Sequence, residues 1–403
     1  MSFRAQPLDW VDLGERMPAR QALYRELQQV RQLTDDLFQI VRPDAMYQRP
    51  IPERHRIVFY LGHLEAFDWN LLARHAFDRP AFHPEFDRLF AFGIDPGSGD
   101  LPDDQPSDWP GIPEVQSYNR QTRERIDEFA AEVPEPFLHA AIEHRLMHAE
   151  TLAYILHQLP YEGKLAPAVP AAGIHSQPKP RLIDIPAGGA ELGLCPGDGF
   201  GWDNEYQAHR VDVPAFSICK YKVTNRQYLE FVRTGGEQPF FWSERGGDWY
   251  YRGMFGEIPL PLDCPVYVTL QQAQEYARWR GMRLPTEPEF HRAAAGLPPS
   301  INSDFRYWDP IPVTADDTPE TENAPAQMTG NGWEWTATVF APFPGFQPFP
   351  FYTNYSEPFF DGEHYVLKGG SPRTGARLLR SSFRNWFRPA YPYIYATFRL
   401  VQA

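Results

Sequence analysis

In the first third of the chain, apolar residues recur every three or four positions. In RQALYRELQQVRQLTDDLFQIV, residues Leu23, Leu27, Val30, Leu33 and Leu37 fall on one face of a helix. RIVFYLGHLEAFDWNLLARHAF predicts a second helix, from Ile57 to Phe77. PEVQSYNRQTRERIDEFAAEV predicts a third that starts near Pro113, where a first turn tolerates the missing amide. A fourth spans Glu135 to Gln158. The Pro- and Asp-rich stretch 96–113 reads as a long surface loop between the second and third. Four helices of this length predict an antiparallel bundle over residues 1–162.

The pattern then changes. GKLAPAVPAAGIHSQPKP, residues 163–180, is rich in proline and alanine, has no period and reads as a linker. From 181 to 403 the chain predicts short strands, as in RLIDIPAGGAELG and HRVDVPAFSICKYKVT. Two helices interrupt them, VTLQQAQEYARWRG and PTEPEFHRAAAG, the second opening with Thr286 and Glu289 at capping-box spacing. Beyond Asn302 come short strands and long loops dense in Trp, Phe, Tyr and Pro, without a tandem repeat. The expected architecture is multidomain: an α bundle followed by a mixed α/β unit.

Composition narrows the function classes. A chain of 403 residues is long enough for two cores. A net charge of -14 repels phosphate backbones and argues against nucleic acid as a partner. No apolar run approaches the roughly 18 residues of a membrane helix, and MSFRAQPLDWVDLGERM lacks the features of a signal peptide. Cys195, Cys219 and Cys264 are far apart and form no CxxC pair. The expectation is a cytoplasmic protein without disulfides, acting on small molecules, with no obligate protein partner evident.

The candidate chemistry sits in HRLMHAE, residues 144–150. His144 and His148, four apart, share a helix face and can address one ion. Glu150 points about 200° away from His148 at 100° per residue, which suits a supporting or structural role behind the ligands. His63, in GHLEAFDWN, is the best candidate for a third ligand. Spacing alone leaves an exposed histidine pair as the plainer alternative, and imidazole suits zinc, copper, nickel and iron alike.

Five segments carry a resemblance: KVTNRQYLEFV, RWRGMRLPTEPEFHRAA, TGNGWEWTATVF, VLKGGSPRT and ATFRLV. In that order they resemble the formylglycine-generating-enzyme (sulfatase-modifying-factor) family, whose fold is a C-type-lectin-like mixed α/β domain. Oxidases of that family bind copper through a cysteine pair in the late GGS-to-R segment. GGSPRTGARLLRSSFRN has no cysteine, so formylglycine generation is not implied. Nearly the whole chain resembles the other branch, in which a DinB-like four-helix bundle precedes this domain: the sulfoxide synthases of ergothioneine and ovothiol biosynthesis. Their bundle carries an early histidine and a late HxxxHxE, and the three histidines bind non-haem iron. His63, His144, His148 and Glu150 match that pattern. The resemblance implies an Fe(II)- and O2-dependent oxidoreductase. It would join a thiol to the imidazole ring of a histidine derivative such as trimethylhistidine and oxygenate the sulfur.

FYTNYSEPFFDGEHYVLKGGS is similar to the bacterial ergothioneine type. Tyr352 matches its active-site tyrosine, implying a proton or hydrogen-atom donor, and Tyr355 matches a neighbour that lines the pocket. In FRNW, Asn385 matches a residue near the substrate carboxylate, and Trp386 offers its face to a quaternary ammonium. Three departures bear on substrate. Members that use γ-glutamylcysteine carry an Asp after RNW and an Arg four places later; here these are Phe387 and Tyr391. They also carry an arginine in the loop after the second helix, where DPGSGDLPDDQPSDWP offers acids. A carboxylate needs a fork of donors, so a smaller thiol such as cysteine is expected, with Arg384 and Arg388 to hold it. Met147 replaces a glutamine of the bacterial type. Two alternatives stand beside this reading. One is the same architecture with a selenosugar or other co-substrate, as in the selenoneine-synthase relatives. The other is a non-catalytic binding protein, since fold does not dictate function. Trp333, Trp335, Arg283 and Glu287 read as structural. Glu65 and Asp68 read as either ligand-orienting or solvated. His55, His75, His83 and His291 read as surface.

Overall fold

The computed structural model describes residues 17–91, 101–167, 177–315 and 322–402. The opening segment 1–16, part of the acidic loop (92–100) and half of the expected linker (168–176) lie outside the described residues.

The helical part comprises α1 (Met17–Gln39), α2 (Ile57–Asp68), a short α3 (Pro84–Leu89), α4 (Ile112–Asp127) and α5 (Glu135–Gln158). α1 packs on α5, and α2 packs on α4 and α5. The sequence IVFYLGHLEAFD of α2 has no polar stripe because the helix is buried on nearly every side. The expected single helix to Phe77 changes winding: residues Trp69–His75 are π-helical, which rotates the following side chains relative to a regular helix. Gly62 is required by close approach, since a Cβ there would lie 2.6 Å from the Phe90 ring.

Glu65 and Asp68 neither orient a ligand nor face solvent. Both are buried and engaged by Arg145 of α5, at 3.0 Å to Glu65 and 2.7 Å to Asp68. Arg123 of α4 adds 2.7 Å to Glu65. Charges removed from water need such partners, and these bridges fix the register of α2 against α5. The acidic loop is likewise partly structural: Asp104 accepts from Arg49, from Arg56 Nε (2.9 Å) and from Trp109 Nε1 (2.7 Å).

The second part carries β1 (Leu182–Ile185), β2 (Gly188–Leu192), β3 (His209–Val213), β4 (Phe216–Cys219), α6 (Asn225–Arg233), β5 (Trp242–Arg245), β6 (Asp248–Arg252), β7 (Glu257–Pro259), α7 (Leu270–Trp279), β8 (Met282–Arg283), α8 (Glu287–Ala294), β9 (Trp333–Val339), β10 (Tyr365–Lys368), β11 (Asn385–Phe387), β12 (Ala396–Thr397) and β13 (Val401–Gln402). Its sheets run β1-β4-β13-β8, β11-β10-β9-β12, β2-β3 and β5-β6-β7, antiparallel except for β9 with β12. α6, α7 and α8 each open on a capping box, at Thr224/Gln227, Thr269/Gln272 and Thr286/Glu289. Buried Glu334 of β9 is matched by Lys222 (2.8 Å) and Arg399 (2.7 Å). No helix among the described residues is long and apolar enough to cross a membrane.

One apolar core runs through both parts without a break. α5 lies between them. Its outer face presents Glu143, Glu150 and His157 to the second part. Glu150 accepts from Trp333 Nε1 (2.7 Å), Ser371 Oγ (2.6 Å) and Thr374 Oγ1 (2.8 Å). Glu143 accepts from Trp202 Nε1 (2.9 Å) and from Arg377 and Arg380. His157 meets the Tyr395 hydroxyl at 3.1 Å and the Arg252 carbonyl at 2.7 Å. Trp333 therefore does more than pack.

Of the four histidines read as surface, three are engaged in the fold: His83 caps α3 by accepting from Phe86 N, and His291 on the Glu191 carbonyl and His55 on the Phe59 ring are half-buried. His75 is exposed, as expected.

Candidate metal centre

His63 of α2 and His144 and His148 of α5 converge, with one ring nitrogen from each lying within 4.8 Å of the others. All three are buried. His63 Nδ1 sits 2.6 Å from the Phe90 carbonyl, the contact that Gly62 makes room for. That bond assigns the proton to Nδ1 and aims the Nε2 lone pair inward. Nε2 of His63 and Nε2 of His148 stand 3.3 Å apart. Both ring nitrogens of His144, and Nδ1 of His148, have no protein partner.

Burial pushes the His63 imidazole down to about 4. It also holds His144 and His148 well below the usual range, helped by each ring's histidine neighbours. At neutral pH these are three uncharged imidazoles with lone pairs crowded together and unsatisfied, which is costly unless a cation accepts them. Phe67 stacks on His144 at 3.3 Å between ring centres, and Phe59 on His63 at 4.9 Å, so the rings cannot swing apart. The donor set therefore suits a divalent transition-metal ion, which three neutral nitrogens would hold with its charge undiminished. Glu150 does not support these ligands from behind. Its hydrogen-bond partners are Trp333, Ser371 and Thr374, because two residues past His148 the helix has turned the side chain to its far face.

The second part closes over the centre. The half-buried Tyr352 ring lies 6.4 Å from His144 and 5.6 Å from Phe67. Tyr355 donates to Met147 Sδ (3.3 Å), stacks on Trp202 (4.2 Å) and meets the edge of Trp386 (5.4 Å). The loop carrying both tyrosines is anchored by Ser356, which donates to Asp203 and accepts from Asn204 Nδ2 (2.9 Å). Trp386 lies flat on Phe340 at 4.3 Å, and Asn385 Oδ1 accepts from Trp386 N. Phe387 stacks on Tyr391 (5.3 Å, 15°). Tyr391 accepts from Arg54 Nε (3.0 Å) and faces Tyr154 of α5. Tyr154 is about 9 Å along that helix from His148 at 1.5 Å per residue.

Two expected substrate cations are otherwise engaged. Arg384 is buried, paired with Glu287 (2.9 Å), bonded to the Ala341 carbonyl and packed between Phe340 and Phe343. Arg388 is 64% exposed and faces Glu363 (3.3 Å) at the surface. Trp202, Phe67 and Arg54 were not singled out by sequence reasoning. Phe67 could have been, since it stands four residues after His63 on the same helical face; Trp202 sits in no motif.

Residues 170–324 and 318–403 match the family described as sulfatase-modifying factor enzyme 1-like domain, and residues 26–160 match the DinB superfamily. The chain is 33% identical over 437 aligned residues to hercynine oxygenase of Mycolicibacterium smegmatis, covering 95% of this chain and 99% of that protein. It is 27% identical to ergothioneine biosynthesis protein 1 of Schizosaccharomyces pombe, over 90% of this chain and 54% of that one. Formylglycine-generating enzyme of Streptomyces coelicolor is 26% identical over 56% of this chain and 90% of its own length.

Proposed function

The chain belongs to the hercynine oxygenase family, and on that premise we propose that it is a sulfoxide synthase whose Fe(II) is held by His63, His144 and His148. The protein is an oxidoreductase of the ergothioneine-biosynthesis type acting on a histidine derivative. The observation that carries the proposal is the meeting of three neutral, unsatisfied imidazoles from the bundle with Tyr352 from the other domain. Fe(II) bound there would supply open positions for thiolate and imidazole and let O2 react, the electrons for its reduction coming from the two substrates as the C–S bond forms and the sulfur is oxygenated.

The chain's own residues do the rest. Neutral imidazoles leave the site's positive charge intact, which favours a thiolate over a thiol. Phe59, Phe67 and Trp386 keep the surroundings apolar, so charges there act at low dielectric. The Trp386 face suits a quaternary ammonium. Asn385, whose Oδ1 is occupied by a backbone amide, keeps its side-chain amide to donate to a carboxylate. Tyr352, on the His144 side, donates a proton or hydrogen atom as the sulfur is oxygenated. The division into residues 1–162 and 181–403 belongs to the same proposal, with the metal ligands in one unit and Tyr352 in the other.

A second reading concerns the donor. Phe387 and Tyr391 form an aromatic pair that continues to Tyr393 and Tyr154, while Arg384 and Arg388 are engaged elsewhere. Such a wall favours a thio- or selenosugar, or cysteine with its single carboxylate, over γ-glutamylcysteine with its two. The test is O2 uptake with mass-spectrometric product detection for the Fe(II)-loaded chain. Trimethylhistidine or histidine is paired in turn with cysteine, γ-glutamylcysteine and a selenosugar. A protein that takes up no Fe(II), or couples none of these, refutes the proposal; preference for γ-glutamylcysteine refutes the reading of the wall.

A further inference from the structure

The three candidate ligands are oriented by different means. His63 is set by its Nδ1 contact with the Phe90 carbonyl at 2.6 Å. His148 has its Nε2 turned to within 3.3 Å of that of His63. Among the described residues, buried His144 has no hydrogen-bond partner at either ring nitrogen. A metal-ligating imidazole is ordinarily held in plane by a hydrogen bond from its second nitrogen to a carboxylate, carbonyl or water. His144 has a ring face instead. The Phe67 ring lies 7° from parallel with it, at 3.3 Å between centres. The adjoining residues lock that contact, since Arg145, next to His144, donates to Asp68, next to Phe67, at 2.7 Å and also reaches Glu65. Phe67 stands four residues after His63 on one face of α2, so the helix that supplies the first ligand also supplies the ring that faces the second. The same phenyl ring meets Tyr352 at 5.6 Å, and Tyr352 is 6.4 Å from His144.

We propose that Phe67 is a positioning residue that does for His144 what a hydrogen bond does for His63, and that the same ring spaces Tyr352 from the ligands. Turning the imidazole out of plane about its Cβ–Cγ bond would drive its edge into a phenyl face already at contact distance. The stack therefore fixes the ring plane, and with it the direction in which a nitrogen of His144 can be offered to the metal. An aliphatic side chain of similar bulk fills the space but has no flat face to oppose that turn. The spacing of Tyr352 rests on its donor role proposed above. With the phenyl ring gone, the phenol loses the wall that sets its distance from His144, and more thiol is oxygenated without being coupled.

The experiment titrates the full chain with Co(II), whose visible absorption reports both affinity and the arrangement of the ligands. It is paired with product analysis of the Fe(II)-loaded chain, given trimethylhistidine, O2 and the donor that the wild type couples. Phe67→Leu should stay folded, as its urea midpoint will show, because the position is half-buried. It should bind Co(II) about 10-fold more weakly, with altered bands and a lower ratio of coupled sulfoxide to oxygenated thiol. Phe67→Tyr keeps the face and should restore all three. In a His144→Ala background, Phe67→Leu should cost no further metal affinity, which separates positioning of His144 from general packing. Unchanged affinity and bands in Phe67→Leu, or an equal loss in the His144→Ala background, overturns the positioning role. An unchanged product ratio overturns the spacing of Tyr352. A wild-type chain that binds Co(II) but yields no coupled product overturns the reading of the site and the spacing with it, while the titration still tests the positioning.

Discussion

Replacing Glu150 by alanine separates two roles that its place in the motif could have given it. In the structure the carboxylate receives three donors from the second domain, Trp333 Nε1, Ser371 Oγ and Thr374 Oγ1, all within 2.8 Å. Burial pushes this carboxyl up and those three bonds oppose the shift, so the group depends on them for its charge. In Glu150→Ala each donor loses its acceptor, at about 1–3 kcal/mol apiece. A water entering the space can serve part of the set, so the sum is not additive, and a loss of roughly 4 kcal/mol is expected. The assay is urea unfolding of the full chain followed by tryptophan fluorescence, read as a fall in midpoint. Glu150→Gln, which keeps one acceptor and the shape, should lose less than half as much. A residue that held a metal-ligating histidine would instead lower metal affinity by about 10- to 100-fold when changed. The Gln variant should therefore bind Fe(II) close to the wild-type level. An alanine variant within about 1 kcal/mol of wild type, or a folded Gln variant that has lost its metal, would refute the reasoning.

Three further outcomes follow from the same geometry. The metal-free protein should lose stability as pH falls from about 6.5 towards 4, because His63, buried neutral with its pKa depressed to about 4, must take up a proton that the unfolded chain accepts near 6.5. Fe(II) should raise stability at neutral pH and carry the loss on to lower pH, because it keeps the native imidazoles unprotonated while the unfolded chain still takes up its protons; thermal melts at stepped pH with and without metal will read it. Tyr352→Phe should keep O2 uptake but divert product from the coupled sulfoxide to an oxygenated thiol, measured as the ratio of the two by mass spectrometry; unchanged coupling removes Tyr352 from the chemistry. Arg384→Met should destabilise by about 3–5 kcal/mol, since it leaves Glu287 buried with reduced compensation, yet leave KM for the thiol unchanged in whatever folds.

Local signals were legible in the chain and distant pairings were not. The limits of α5 and the capping box of α8 follow from periodicity and short spacing, and both stand in the structure as expected. The trio His63, His144 and His148 required only that two helices pack, which the apolar pattern already demanded. The fate of Arg384 could not be read, because its partner Glu287 lies 97 residues away and nothing local distinguishes an ion-paired core arginine from a substrate clamp. Glu65 and Asp68 failed for the same reason, since their burial depends on arginines from two other helices. The π-helical turn after Asp68 leaves no mark in the 3.6-residue period, which shows only where apolar residues fall.

α5 presents its ligands to one side and its anchoring residues Glu143, Glu150 and His157 to the other. A helix held on both flanks cannot act as a hinge. The halves of the molecule are therefore not expected to part like jaws around a substrate. Tyr352 and Trp386 are the partly exposed rings beside the centre, and stiffening the loops that carry them should slow exchange of reactants while leaving the metal's surroundings untouched.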